Sequence, residues 1–333
     1  MTVAPDMVGG GGMVESQSDR PAMPKQTRTR GDRVFFLMLF CASSIVLLAI
    51  GAIAVFLAHS SVPAIRYAKT GLVTSDRFAP TGSHPAFGLL GALQGTVTIA
   101  AIALLIALPV SVALALLINE YAPRSTRRTL TSVIDLLAVL PSVLYGLWGL
   151  IVLGPEIDST TRWISHHLSF VPVFQVGAGA PIGNSIFVCG IVVGIMVVPI
   201  CTSVVREVMS QAPRDACEAA LALGGTKWGM VTDVILPFAR NGILGGALLG
   251  LGRALGETVA VLLILSQTNV LHSQILTPGG GQIPALIAQD FTSVPDLGKS
   301  ALTVAGLLLF TTILALNLMA RKVIMGRPQA AFA

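Results

Sequence analysis

Residues 34–58 read VFFLMLFCASSIVLLAIGAIAVFLA, 25 positions without a charged side chain. Crossing a hydrocarbon core of about 30 Å takes roughly 20 apolar helical residues, so this stretch is long enough to span a bilayer. It is too long for the core of a signal peptide, and no small-residue cleavage site stands out beside it, so it reads as an uncleaved membrane helix. Working outward, similar apolar stretches occupy 89–118, 130–153, 186–205, 242–265 and 301–320. The second contains Gln94 and Pro109, which predicts a tilt, a kink or a partly interfacial segment. The whole chain of 333 residues is 53% hydrophobic and 11% charged, against about 25% charged in soluble domains. The expected fold class is therefore all-α integral membrane, with six transmembrane helices.

Six alternating spans put both termini on one side, together with the loops 119–129 and 206–241. That side carries fifteen Lys and Arg residues and the other only five, with Arg253 left inside span five. By the positive-inside rule both termini are expected in the cytoplasm, the chain being multi-pass in the plasma (inner) membrane. The net charge of +5 is accounted for by residues beside anionic lipid, so membrane lipid is a partner and nucleic acid is not. Residues 1–32, with Gly9 to Gly12 in a row and a basic end, lack apolar periodicity and are expected to form a disordered tail. Residues 33–325 then form the transmembrane domain, and 326–333 a short cytoplasmic end. Cys41, Cys189, Cys201 and Cys217 lie in spans or on the inner side, so no disulfide and no metal site are expected.

Several motifs fail on inspection. Gly298-Lys299-Ser300 resembles the end of a phosphate-binding loop, but position 293 is Ser and no strand precedes it, so the chain is not expected to bind or hydrolyse ATP itself. Gly250, Gly252 and Gly256 imitate a dinucleotide fingerprint with the wrong final spacing. His59, His84, His166, His167 and His272 all fall outside the spans, which leaves no intramembrane histidine for a proton relay. A surface helix is expected around Trp163 to Phe170.

The loop 206–241 has more structure than a connector needs. Pro213 suits the first turn of a helix and Asp215 its positive end. Ala216, Ala219, Ala220 and Leu223 follow i, i+3, i+4, i+7 and form one apolar stripe. Gly224 and Gly225 end the helix, Thr226 caps a second one, and Pro237 is expected to limit it. A helix, glycine turn and helix on the cytoplasmic face suit contact with a partner.

Span five carries Arg253 and Glu257 one turn apart. A charge at the bilayer centre costs about 2.5–3.5 kcal/mol on insertion scales, so both are expected to face the bundle interior or a wet path. Gly242, Gly246, Gly250 and Ala254 recur every four residues beside them, permitting close helix approach. The Arg guanidinium is a planar fork suited to an oxyanion, with Glu257 as its companion. The pair sums to zero charge, so a divalent anion needs added positive potential, which a second similar permease across the interface can supply. Asp135 is a further candidate for lining the path.

The loop resembles the inner-membrane permeases of binding-protein-dependent ABC importers. Their pattern of Glu-Ala-Ala, three residues, Gly, nine residues and Ile-x-Leu-Pro is matched by Glu218, Ala219, Ala220, Gly224, Val234, Leu236 and Pro237, with Val in place of Ile. The string Gly250-Leu-Gly-Arg-Ala-Leu-Gly-Glu-Thr-Val-Ala-Val261 is similar to the signature of phosphate-specific permeases, and Pro141-Ser-Val-Leu-Tyr-Gly-Leu-Trp-Gly-Leu150 to another stretch of the PstC type. The likeness covers about residues 30–325, with the permease core at about 89–320.

The resemblance implies a non-catalytic transport subunit with a coupling helix between spans four and five, where Glu218 to Gly225 docks on a separate ATPase. It implies a PstA-type second permease, two copies of a PstB-type ATPase that use the ATP, and a PstS-type phosphate-binding protein as partners. No cofactor is implied for this chain. Arg253 and Glu257 become the residues of the phosphate path, with Thr258 an additional donor. Sulfate or molybdate remains an alternative cargo, because the coupling loop reports the ATPase and not the anion. A self-contained secondary transporter is the more distant alternative, since the spans hold few acids and no evident broken-helix pair. No nucleophile and base set supports a membrane enzyme.

Overall fold

The computed structural model describes residues 30–69, 71–75, 78–81, 85–176, 183–268, 271 and 274–325. In chain order the elements are α1 (Arg30–Ala68), α2 (Gly71–Thr74), β1 (Phe78–Ala79), β2 (Ala86–Phe87), α3 (Leu90–Leu116), α4 (Arg124–Val139), α5 (Ser142–Trp148), α6 (Gly154–His167) and α7 (Ile186–Ser210). There follow α8 (Arg214–Ala222), α9 (Lys227–Met230), α10 (Leu236–Leu255), α11 (Val259–Ile264), α12 (Ile283–Asp290) and α13 (Asp296–Met325). The two strands form a small antiparallel hairpin with Phe78 opposite Phe87. Among the described residues five helical segments are long and apolar enough to cross a membrane, and a bent pair, counted as one span, makes six.

Residues 30–52 belong to a unit of their own, an apolar helical stretch exposed on nearly every face. Such a stretch is suited to lipid or to another membrane helix. The tail expected at 1–32 lies mostly outside the described residues, but Arg30, Gly31 and Asp32 are already helical. At the other end α1 runs ten residues past Ala58, so His59 is on a helix and not in a loop. His84, His272 and the end 326–333 lie outside the described residues.

In the second unit α7 is the central helix: 67% of its apolar window is buried, against 33% for the spans built on α3 and α10 and 17% for α13. Small residues bring its neighbours close. A Cβ added at Gly190 or Gly194 would meet Ile102 and Ala103 of α3. On the other side the expected glycine ladder of span five packs on α7, with Gly242 against Val208, Gly246 against Val205, and Gly250 against Cys201 and Val197. Lipid tails are as apolar as Leu, so close backbone approach and dispersion, not apolar burial, hold such helices together.

Three expected boundaries move. The stretch 130–153 is not one straight span: α4 and the segment from Ser142 to His167 meet at 89°. Pro141 causes the break, because its ring disfavours helical backbone at the preceding residue, and Leu140 and Pro141 are both extended (ψ 134° and 135°). Amphipathic α4 and the segment from α5 to α6 are therefore two arms of one bent apolar pair. Trp163, expected on a surface helix, stands in α6, with Phe170 just beyond it. Pro237 does not limit the second helix of the 206–241 loop. Residues 231–235 widen into a π turn in which the Leu236 N–H donates to the Val231 carbonyl, and the helix continues through Pro237 to Leu255. The wider turn accommodates a ring that would otherwise strike the preceding turn. Span five, expected at 242–265, stops at Leu255 and restarts at Val259.

Candidate functional site

The break in span five is where the charged pair sits. Gly256 closes α10 and has no side chain to hold the helix regular, and β-branched Thr258, Val259 and Val261 follow. Arg253 occupies the last turn of α10, at the negative end of that helix dipole, while Glu257 precedes α11 at its positive end. Their side chains approach to 3.8 Å between Nη2 and Oε2. The partners differ in setting: the Arg253 side chain is 45% exposed within this chain and that of Glu257 only 4%. Glu257 Oε1 accepts a hydrogen bond from the Ala260 N–H at 3.1 Å, which satisfies an otherwise orphaned donor of α11. One carboxylate therefore caps a helix and faces a guanidinium.

Arg253 projects into an open groove of about 610 Å³ lined by Ile200, Gly245, Leu248, Leu249, Gly252 and Asn317. Its Nη2 also lies 3.9 Å from Met196 Sδ. The walls are apolar except for Arg253 and Asn317, and the Arg253 guanidinium offers a planar donor fork of the kind that suits an oxyanion. Thr258 is half-buried and donates its hydroxyl to the Gly256 carbonyl at 3.2 Å, so its proton is engaged locally. Asp135 is on α4, exposed, and accepts from Ser203 Oγ at 3.3 Å; it is not among the residues lining the Arg253 groove.

The sequence reading missed three residues around the break. Gln282 Nε2 donates to the Glu257 carbonyl at 2.5 Å, Thr96 reaches the same corner from α3, and Asn317, whose amide donates to the Ile313 carbonyl of its own helix, lines the Arg253 groove from α13. Among the described residues the one sharply bent pair of apolar helices is α4 with the segment from Ser142 to His167, whereas α10 and the six-residue α11 are separated by an interruption at 256–258. The signal available was the triplet Gly279-Gly280-Gly281 before Gln282-Ile283-Pro284, in which φ is positive at Gly279 and Gly280. That is the pattern of a sharp turn into a capped helix.

The helix, glycine turn and helix between spans four and five form as expected. Gly224 takes φ +84°, its N–H donates to the Leu221 carbonyl, and the Gly225 N–H donates to that of Ala220, which together satisfy the end of α8. Thr226 Oγ1 accepts from the Gly229 N–H at 3.0 Å and starts α9. Within α8, Ala216, Cys217 and Ala220 are half-buried, whereas Glu218 and Ala219 are exposed, as is Leu223 at its C-cap, at 90%. The stripe thus divides, with one edge on the bundle and one edge bare. Lys227 braces the turn by donating to the Glu120 carbonyl and lying 4.7 Å from the Tyr121 ring centroid. Burial first, then the charges of Glu120 and Glu218, push the Cys217 thiol up from its ordinary value, so it stays protonated and is a poor nucleophile near neutral pH.

Residues 107–324 match the family model described as "Binding-protein-dependent transport system inner membrane component". The phosphate transport system permease protein PstC 2 of Mycobacterium tuberculosis is 37% identical over 324 residues, covering 95% of this chain and 99% of that protein. The phosphate transport system permease protein PstC of Xylella fastidiosa is 37% identical over 314 residues, covering 91% and 96%. Among solved structures, a bacterial alginate ABC transporter in complex with an alginate pentasaccharide-bound periplasmic protein aligns at a TM-score of 0.57 and 17% identity, over 89% of this chain and 96% of that one. At that identity the likeness concerns the fold.

Proposed function

This chain belongs to the inner-membrane permeases of binding-protein-dependent transport systems, and from that premise we propose that it is the PstC-type subunit of an ATP-driven phosphate importer. It is a transport component and not an enzyme. The observation that carries the phosphate reading is 37% identity to phosphate permeases over 95% of the chain, a stretch that includes Arg253 and Glu257. In this reading Arg253 receives the anion at the break of span five and Glu257 holds the guanidinium between transfers. Asn317, which also lines the groove, adds a second polar side chain to an otherwise apolar surface. The remaining positive potential comes from a second permease, phosphate arrives from a binding protein, and two copies of an ATPase use the ATP. Charge asymmetry between the loops supports cytoplasmic termini, and with them a cytoplasmic α8.

The test is uptake of labelled phosphate by the reconstituted permease pair, ATPase and binding protein, with sulfate and molybdate as competitors. Phosphate-selective uptake that requires ATP is expected. Uptake of another anion would overturn the substrate, and uptake by this chain alone would overturn the class.

The bare edge of α8 makes a separate prediction. A cysteine at exposed Ala219 is expected to crosslink to the ATPase, while Cys217, with its raised thiol, reacts slowly. If no position from 216 to 226 crosslinks, α8 is not the coupling element.

A further inference from the structure

The structure places a hydrogen-bonded corner behind the charged pair. Gln282, Thr96 and Glu257 are all buried, Gln282 completely. Gln282 Nε2 donates to the Glu257 carbonyl at 2.5 Å, and its Oε1 accepts from the Ala285 N–H at 3.0 Å, closing the first turn of α12. The next N–H, of Ile283, donates to Thr96 Oγ1 at 3.0 Å, and the Thr96 hydroxyl donates to the Ala92 carbonyl at 2.6 Å. The Gln282 N–H donates to Gln267 Oε1 at 3.2 Å. Beside Thr96, a Cβ at Gly95 would stand 1.9 Å from the Gly281 oxygen, so the backbone entering α12 rests directly on α3. One side chain thus ties α12, and through it α3, to the break in span five.

A broken helix in a membrane leaves carbonyls that water cannot reach, and each needs a donor from the protein. Gln282 supplies one at Glu257. We propose that Gln282 is a positioning residue for anion transfer, holding span five open between Leu255 and Val259 and so holding Glu257 against Arg253. The inference rests on the reading of Arg253 and Glu257 as part of the anion path. Without that donor the Glu257 carbonyl is free to rejoin the helix, which rotates its carboxylate away from the guanidinium. The consequence is a guanidinium less well aimed at the anion, which acts on binding before it acts on turnover.

The experiment uses the complete reconstituted transporter, with uptake of labelled phosphate normalised to assembled complex. For Gln282→Leu, close in size and lacking both polar atoms, the apparent KM is expected to rise about tenfold while the maximal rate changes less. If that variant does not assemble, Thr96→Val loosens the same tie from α3 with little change of shape, and a rise of about threefold in KM is expected. Wild-type kinetics in the variants that assemble, or a fall in maximal rate alone, would overturn the proposal. Arg253→Gln is measured in parallel. Wild-type uptake there removes the path reading itself, whereas lost uptake there beside wild-type kinetics in the Gln282 and Thr96 variants removes only this inference.

Discussion

Arg253→Gln is expected to lower ATP-driven phosphate uptake by about 100-fold or more, equivalent to about 2.7 kcal/mol of lost stabilisation. Two effects combine. The variant removes the guanidinium from a groove whose other walls are apolar apart from Asn317. It also leaves the Glu257 carboxylate, 4% exposed, without the cation 3.8 Å away, and a buried charge deprived of its partner costs several kcal/mol. Gln is of similar length and keeps one amide donor, so helix packing around α10 is retained. The measurement is initial uptake rate per assembled complex. Wild-type rates would mean that the pair only fixes packing between α10 and α11.

Gly95→Ala is expected to destabilise the folded chain by about 2–5 kcal/mol, since it costs several hydrogen bonds of a buried network at once. Its Cβ would lie 1.9 Å from the Gly281 oxygen, and that neighbour is backbone, which cannot swing aside as a side chain does. The segment entering α12 must retreat, stretching the Ile283 to Thr96 bond of 3.0 Å and the Gln282 to Glu257 bond of 2.5 Å. Gly245→Ala is the control: nothing lies within 4 Å of its Cβ, and removing a helix glycine there should raise stability by about 0.4–1 kcal/mol. Thermal unfolding of the detergent-purified complex checks both. Equal melting temperatures for Gly95→Ala and the parent would show that the 279–283 segment is not held against α3.

Much of this arrangement is legible from residue order. Apolar runs long enough to cross the bilayer as helices name the spans, because a helix satisfies its backbone within the segment and a barrel strand would be shorter and alternating. The helix, glycine turn and helix of 213–230 is visible because its signals are local: Asp215 in a first turn, Gly224 where φ must be positive, Thr226 as a cap. The ladder of Gly242, Gly246 and Gly250 announces a close helix contact, though not that α7 is what it touches. The i, i+4 spacing of Arg253 and Glu257 pairs them correctly, even though the regular helix assumed for that spacing ends between them.

What the sequence by itself determined is the membrane class, the apolar helical stretches and the helix, glycine turn and helix of 213–230, all of which follow from periodicity and from residues within a few positions of one another. The tertiary structure alone decided where helices break and what satisfies the break. Pro141 can kink a span or end it, and Pro237 can limit a helix or ride on a π turn. The choice depends on neighbours that pack against the two outcomes. Likewise Glu257 meets a donor 25 residues away in Gln282, and the Ile283 N–H meets an acceptor 187 residues away in Thr96. No local pattern encodes such pairings: an unsatisfied carbonyl in an apolar medium accepts whichever buried donor the packing of α3, α10 and α12 brings to it.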